Sequence, residues 1–179
     1  MNLLTYIPNI LTWMRILVIP FFIYFTLAKN ILCIWLYSIC ALTDALDGWL
    51  ARRWRVESVW GAFLDPIADK LLVQSGLAMV IYHSGSFLVG ICWILMLLRD
   101  LYISWLRSTG HHIPVSSKAK IKSILLFVAT VVLLIAILYT SKLVFYFGIV
   151  LLLISTYLSI DTFVSYIVKL SGKTNSLRE

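Results

Sequence analysis

Apolar runs close to the length needed to cross a bilayer recur from end to end of this 179-residue chain, separated by short polar interruptions. The pattern predicts six spans, over residues 7–27, 31–51, 66–82, 87–107, 121–139 and 143–168. The third is short and opens on charged residues. On one side of the membrane the connections shrink to residues 29–30, 83–86 and 140–142, so the polar chemistry belongs to the other side. The expected fold is an all-α integral membrane protein, a single six-helix domain over residues 1–170 followed by a polar tail at 171–179.

Composition agrees, because 61% hydrophobic residues, 13% charged residues and a mean hydropathy of +0.96 leave more apolar surface than a water-soluble core could absorb. The first apolar run is long, carries Arg15 and lacks a signal-peptidase pattern, so it is expected to be retained as a span. Cys33, Cys40 and Cys92 lie in apolar runs without metal-ligand spacing and are expected to be small buried hydrophobes. His83, His111 and His112 are expected to be simple loop residues.

The distribution of charge orients the chain. Arg52, Arg53, Arg55, Arg107, Lys118, Lys120, Lys122, Lys169, Lys173 and Arg178 fall on one side, against Lys29 and Lys142 on the other. Basic loops are retained in the cytoplasm, so both termini are expected there. The net charge of +7 is then a cytoplasmic surface charge suited to anionic lipid and phosphorylated substrates, not a nucleic-acid interface.

Charges inside the spans form the next layer, since each costs several kcal/mol in hydrocarbon unless it is paired or faces a wet cavity. Asp44 lies eight positions before Arg52, Arg99 eight before Arg107, Asp161 eight before Lys169, and Arg15 eight after Ile7. At the helical rise each sits about 12 Å below the cytoplasmic boundary, as expected of four helices converging on the floor of a polar cavity open to the cytoplasm. Asp161 is read either as a partner for Arg15 or Arg99 or as a substrate-site residue. Asp44 shares a helix face with Asp47, and Asp65 with Asp69. Two such carboxylate pairs on facing helices repel unless cations lie between them, which points to metal binding through oxygen ligands, with Mg2+ or Mn2+ the expected class. The competing reading is structural ion pairing with Arg52, Arg53 or Lys70.

Between Asp44 and Asp69 the residues are spaced as DxxDGxxAR, then eight residues, then GxxxDxxxD. This constellation of Asp44, Asp47, Gly48, Ala51, Arg52, Gly61, Asp65 and Asp69 resembles the signature of the CDP-alcohol phosphatidyltransferases. The resemblance implies metal-dependent transfer of a phosphatidyl group from a CDP-linked lipid to an alcohol, with release of CMP. It makes Asp44, Asp47 and Asp65 chiefly metal ligands and Asp69 the general base, which also lies within reach of a metal. Gly48, Ala51 and Gly61 would let the nucleotide approach the backbone, and Arg52 would reach the diphosphate.

The acceptor is read from Arg99, Arg107, Lys118, Lys120 and Lys122, more cations than a neutral alcohol needs and suited to a phosphate monoester. PNILTWMR at Pro8 to Arg15, GAFLDPIADK at Gly61 to Lys70, RDLYISWLR at Arg99 to Arg107 and KIKS at Lys120 to Ser123 are similar to the bacterial phosphatidylglycerophosphate synthases within that family. The implied substrates are CDP-diacylglycerol and glycerol 3-phosphate, with the acceptor phosphate on Arg99, Arg107, Lys120 and Lys122. A homodimer in the bacterial inner membrane is implied as well. Asp100, Ala119 and Ser123 depart from the residues usual there, and Arg99 followed by Asp100 is also similar to the cardiolipin synthases, whose acceptor is phosphatidylglycerol. A six-helix carrier or channel fits less well, because no comparable set of charges lines the outer half.

Overall fold

In a lipid environment a backbone group with no partner costs several kcal/mol, so apolar runs of this length resolve into helices, which satisfy their own amides and carbonyls. The computed structural model describes residues 7–54, 59–108 and 117–175, with side chains described for 13–43, 70–106 and 121–168. Among the described residues every element is helical: α1 Ile7–Leu27, α2 Leu32–Trp54, α3 Val59–Ser84, α4 Phe87–Ser108, α5 Ser117–Leu138 and α6 Lys142–Asn175. Phe87–Leu106, Ile121–Leu138 and Lys142–Val168 are long and apolar enough to cross a membrane, and Trp13–Leu27 and Leu32–Thr43 are shorter apolar stretches.

Three boundaries differ from expectation, because a helix is continued by its backbone hydrogen bonds and so runs through charged positions and past the last hydrophobic residue. The third span was expected over 66–82, yet α3 starts at Val59, so that the uncharged stretch from Val59 to Leu64 is continuous across Asp65 with the rest, and Gly61, Asp65 and Asp69 lie on one helix. Likewise α6 runs on through Asn175, into the segment 171–179 read as a tail. His83, expected in a loop, belongs to the last turn of α3, where its Nε2 donates to the Thr26 carbonyl of α1 at 3.1 Å. His111 and His112 lie outside the described residues. Cys33, Cys40 and Cys92 are buried free thiols, as expected.

The turns α1–α2, α3–α4 and α5–α6 are tight, and each reverses through one residue in the left-handed region: Lys29 at φ 50°, Gly85 at φ 59° and Thr140 at φ 51°. Schellman bonds close α1 and α5, from the Asn30 amide to the Phe25 carbonyl at 2.9 Å and from the Ser141 amide to the Ala136 carbonyl at 3.1 Å. The next helix is capped at once: the Asn30 side chain accepts from the Leu32 amide at 3.0 Å. Helices joined this closely fold back as antiparallel pairs, and α1 with α2, α3 with α4, and α5 with α6 are each in contact.

The core lies where α1, α2, α3 and α5 meet. Tyr37 stacks on Phe127 with centroids 5.3 Å apart and planes 5° from parallel, and Phe22 closes on it at 5.4 Å. Two glycines set the closeness of the packing. A Cβ on Gly76 would lie 2.8 Å from Thr130 Cγ2 and 2.9 Å from the Tyr37 ring, and one on Gly148 would lie 2.8 Å from both Cγ and Cδ2 of the fully buried Leu133. Thr130 is β-branched, the Tyr37 ring is held by its stack, and turning the end of Leu133 does not move its Cγ, so none of the three yields freely. Gly76→Ala and Gly148→Ala are therefore each expected to cost about 1–3 kcal/mol of overpacking. Thermal unfolding midpoints of the two variants in detergent check this, and a wild-type midpoint in either would contradict it.

Candidate active site

Five cations and four aspartates singled out by the sequence map to the same end of α2, α3, α4 and α5, and α6 packs against the two helices, α4 and α5, that carry the cations. Asp44, Asp47, Gly48, Ala51 and Arg52 all lie on α2, and Gly61, Asp65 and Asp69 on α3. Their side chains fall outside the described residues, but their helical positions can be compared. Asp47 is seven residues before the end of α2 at Trp54, and Asp65 is six after the start of α3 at Val59. Asp44 and Asp69 are each ten residues from those same ends. The helices are in contact and joined by residues 55–58 alone, so they form an antiparallel hairpin. Level with each other are then Asp47 and Asp65, roughly 10 Å in from the helix ends, and Asp44 and Asp69, roughly 15 Å in.

Four carboxylates at two matched levels are an all-oxygen donor set, which fits a hard divalent cation such as Mg2+ or Mn2+ and not a softer metal. Among the residues with described side chains no cluster of three or more metal-binding groups occurs.

Arg99 is the best-defined cation of the site. Its Nη1 donates to Asp100 Oδ1 at 2.7 Å, with the two side chains 12% and 26% exposed. Its Nη2 lies 3.5 Å from Thr162 Oγ1 of α6, the long limit of a hydrogen bond. Among the described residues its buried Nε has no acceptor. Nε and Nη2 form one side of the guanidinium fork, so that side is underused and suited to two oxygens of an oxyanion. Thr162 commits its own proton within α6, to the Ser159 carbonyl at 2.9 Å and the Leu158 carbonyl at 3.0 Å, which leaves its oxygen facing Arg99 as an acceptor.

The second cationic helix is tied to α6 in the same way, since Ser155 Oγ donates to the Lys122 carbonyl at 3.1 Å. Arg107 is on α4 and Lys120 on α5; their side chains, with Lys118, fall outside the described ones. Lys70, a candidate for pairing with the aspartates, reaches α4, donating to Ser104 Oγ at 2.6 Å and to the Asp100 carbonyl at 3.2 Å. Arg15 is 2% exposed on α1, which packs against α2, the helix carrying Asp44. Of the groups expected at one depth, Arg99 is thus brought to the residue following Asp161, and Arg15 to the helix carrying Asp44.

Sequence reasoning passed over the hydroxyls that arrange this. Ser155, Ser159 and Thr162 are all buried on α6. Their i, i+4, i+7 spacing in an otherwise apolar helix was the available signal, because a polar face inside a membrane helix has to meet a partner.

Comparison with known proteins comes to the same region of sequence space. The profile of the family described as CDP-alcohol phosphatidyltransferase matches residues 5–160. The chain is 39% identical over 105 residues to the CDP-diacylglycerol–glycerol-3-phosphate 3-phosphatidyltransferase of Haemophilus influenzae, an alignment covering 56% of this chain and 57% of that protein. It is 41% identical over 106 residues to the protein of the same name from Salmonella typhimurium, covering 56% and 58%. It is 40% identical over 108 residues to that of Yersinia pestis, again covering 56% and 58%. The chain spans a little over half the length of the curated relatives it matches.

Proposed function

Because the chain belongs to the CDP-alcohol phosphatidyltransferase family, we propose that it moves the phosphatidyl group of CDP-diacylglycerol onto glycerol 3-phosphate, yielding phosphatidylglycerophosphate and CMP. The observation that carries the choice of acceptor is the Arg99 fork, fixed by Asp100 and facing Thr162 with its Nε lacking an acceptor among the described residues. A phosphate monoester presents the two oxygens such a fork accepts. An alcohol with no anionic group, such as choline, does not. The relatives named for glycerol 3-phosphate transfer support the same acceptor.

In the proposed reaction Asp69 takes the proton of the primary hydroxyl of glycerol 3-phosphate. The hydroxyl oxygen bonds to the lipid-side phosphorus, and the bond from that phosphorus to CMP breaks. Arg99, Arg107, Lys120 and Lys122 hold the acceptor phosphate, so that the hydroxyl is presented in line. Gly48, Ala51 and Gly61 leave room for the nucleotide beside α2 and α3, and Arg52 binds the diphosphate. Asp44, Asp47, Asp65 and Asp69 would hold two Mg2+ or Mn2+ ions. When bound, these supply neutralisation of the diphosphate and of the charge growing on the leaving group.

All six helices span the bilayer in this reading, with a polar cavity open to the cytoplasm and both termini on that side. The length and apolarity of α4, α5 and α6 and the basic residues at the site end support it. The resemblance supports a homodimer in a bacterial inner membrane.

The test is CMP release by the purified protein in mixed micelles of CDP-diacylglycerol with Mg2+, offering glycerol 3-phosphate, phosphatidylglycerol, inositol phosphate and serine separately. Turnover with glycerol 3-phosphate is expected, lost on chelation and restored by Mg2+ or Mn2+. Turnover with phosphatidylglycerol alone would move the protein to cardiolipin synthesis.

A further inference from the structure

Lys70 follows Asp69 directly on α3, but its ammonium does not simply extend toward water along the helix surface, as a lysine near a membrane boundary commonly does. It crosses to α4 and holds two neutral acceptors there, the Ser104 hydroxyl at 2.6 Å and the Asp100 main-chain carbonyl at 3.2 Å. These acceptors are four residues apart, one above the other on the same face of α4. One ammonium thus grips a full turn of the neighbouring helix.

That turn carries the acceptor cation. Asp100, whose carbonyl receives Lys70, binds Arg99 through its carboxylate at 2.7 Å, and Arg99 faces Thr162 of α6. A polar chain therefore runs from the residue beside Asp69, through α4, to α6. A further side-chain hydrogen bond between α4 and α3 runs from Trp93 Nε1 to the Gln74 carbonyl at 3.2 Å. It lies one turn farther from Asp69 along α3, toward the tight α3–α4 turn, and it fixes the middle of the helix pair, while Lys70 links the two helices at the Asp69 end.

We propose that Lys70 is a positioning residue whose bonds to Asp100 and Ser104 fix the separation between the α3 turn bearing Asp69 and the α4 turn bearing Arg99, holding the base in register with the acceptor phosphate. This deepens the proposed reaction and rests on it for the roles of Asp69 and Arg99. A displacement of about 1 Å between reacting groups costs on the order of a hundredfold in rate. A strut at this point therefore acts on kcat and not on donor binding.

The test uses the full chain in lipid nanodiscs as wild type, Lys70→Met, Lys70→Arg and Ser104→Ala. CMP release with glycerol 3-phosphate is measured alongside thermal unfolding. The separation of spin labels at Leu71 and Leu101, exposed neighbours of the contact on α3 and α4, is measured in cysteine-substituted versions. Lys70→Met is expected to lower kcat by about tenfold to a hundredfold while KM for CDP-diacylglycerol stays within about twofold, and to broaden the label distances. Lys70→Arg, which keeps a donor that reaches both acceptors, is expected to recover most of the rate and the narrow distribution. Ser104→Ala is expected to fall between, since the carbonyl contact survives. An unchanged distance distribution in Lys70→Met overturns the proposal, as does a loss of rate that only tracks a loss of folded protein. If the wild type does not use glycerol 3-phosphate, the reaction assigned above is wrong, while the label distances still decide whether Lys70 is the strut.

Discussion

Asp69→Asn is expected to lower CMP release by about a hundredfold to ten-thousandfold, the range that general-base catalysis contributes. The substitution keeps the size of the side chain and its place on α3 but removes the capacity to take a proton that the proposed reaction assigns to it. On the same proposal it also exchanges a charged metal ligand for a neutral one. Both effects act on the same step, so kcat falls and the KM for CDP-diacylglycerol rises less. Asp69→Glu, which retains the basicity but displaces it by a methylene, is expected to recover a minor part of the rate. The assay is initial-rate CMP release at saturating Mg2+, with thermal unfolding as the control for folding. Near-normal turnover of Asp69→Asn would remove Asp69 as the base, and attention would pass to Asp44, which shares its level on α2.

Arg99→Ala is expected to reduce kcat/KM for glycerol 3-phosphate by about a hundredfold, the equivalent of two charge-assisted hydrogen bonds at roughly 1.5 kcal/mol each. The KM for CDP-diacylglycerol is expected to change little. Arg99→Lys is expected to rescue poorly, because one ammonium cannot hold Asp100 and present a fork to an oxyanion together. A complication is the carboxylate of Asp100, which loses its 2.7 Å partner in Arg99→Ala and at 26% exposure is costly to leave alone. The double variant Arg99→Ala with Asp100→Asn separates the two causes. If it regains wild-type kcat/KM, the loss came from the stranded carboxylate and Arg99 does not hold the acceptor. Thr162→Val is expected to cost far less, since its contact with Arg99 is 3.5 Å long.

The helices could be read from the sequence because apolarity and length leave a membrane segment few alternatives, and α1, α2, α4 and α5 lie close to the expected spans. The start of α3 was set too late because Asp65 and Asp69 interrupt its hydropathy, although the stretch from Val59 to Leu64 carries no charge. Yet the signature itself held the clue: Gly61, Asp65 and Asp69 recur every four residues, a helical period. Which carboxylates lie level with one another depends on where α2 ends and α3 begins, and motif spacing does not supply that. The contacts of Lys70 were illegible for a different reason. Its acceptors are a main-chain carbonyl and a serine more than thirty residues away, and neither stands out by residue type. His83 looked like a loop residue because it sits beside Gly85, but the helix keeps its geometry until the glycine itself turns the chain.

The left-handed turns at Lys29, Gly85 and Thr140 have a mechanical consequence. All three sit at the end of the bundle away from the aspartates, binding each helix pair as a rivet binds the legs of a pair of tongs. A hinge there moves its own neighbourhood least and the far tips most. For legs of about 20 residues, or roughly 30 Å, a splay of about 10° would part the tips by about 5 Å. Lys70 between α3 and α4 and Ser155 between α6 and α5 oppose that splay, so two of the three pairs are clasped near their tips as well as riveted at the turn.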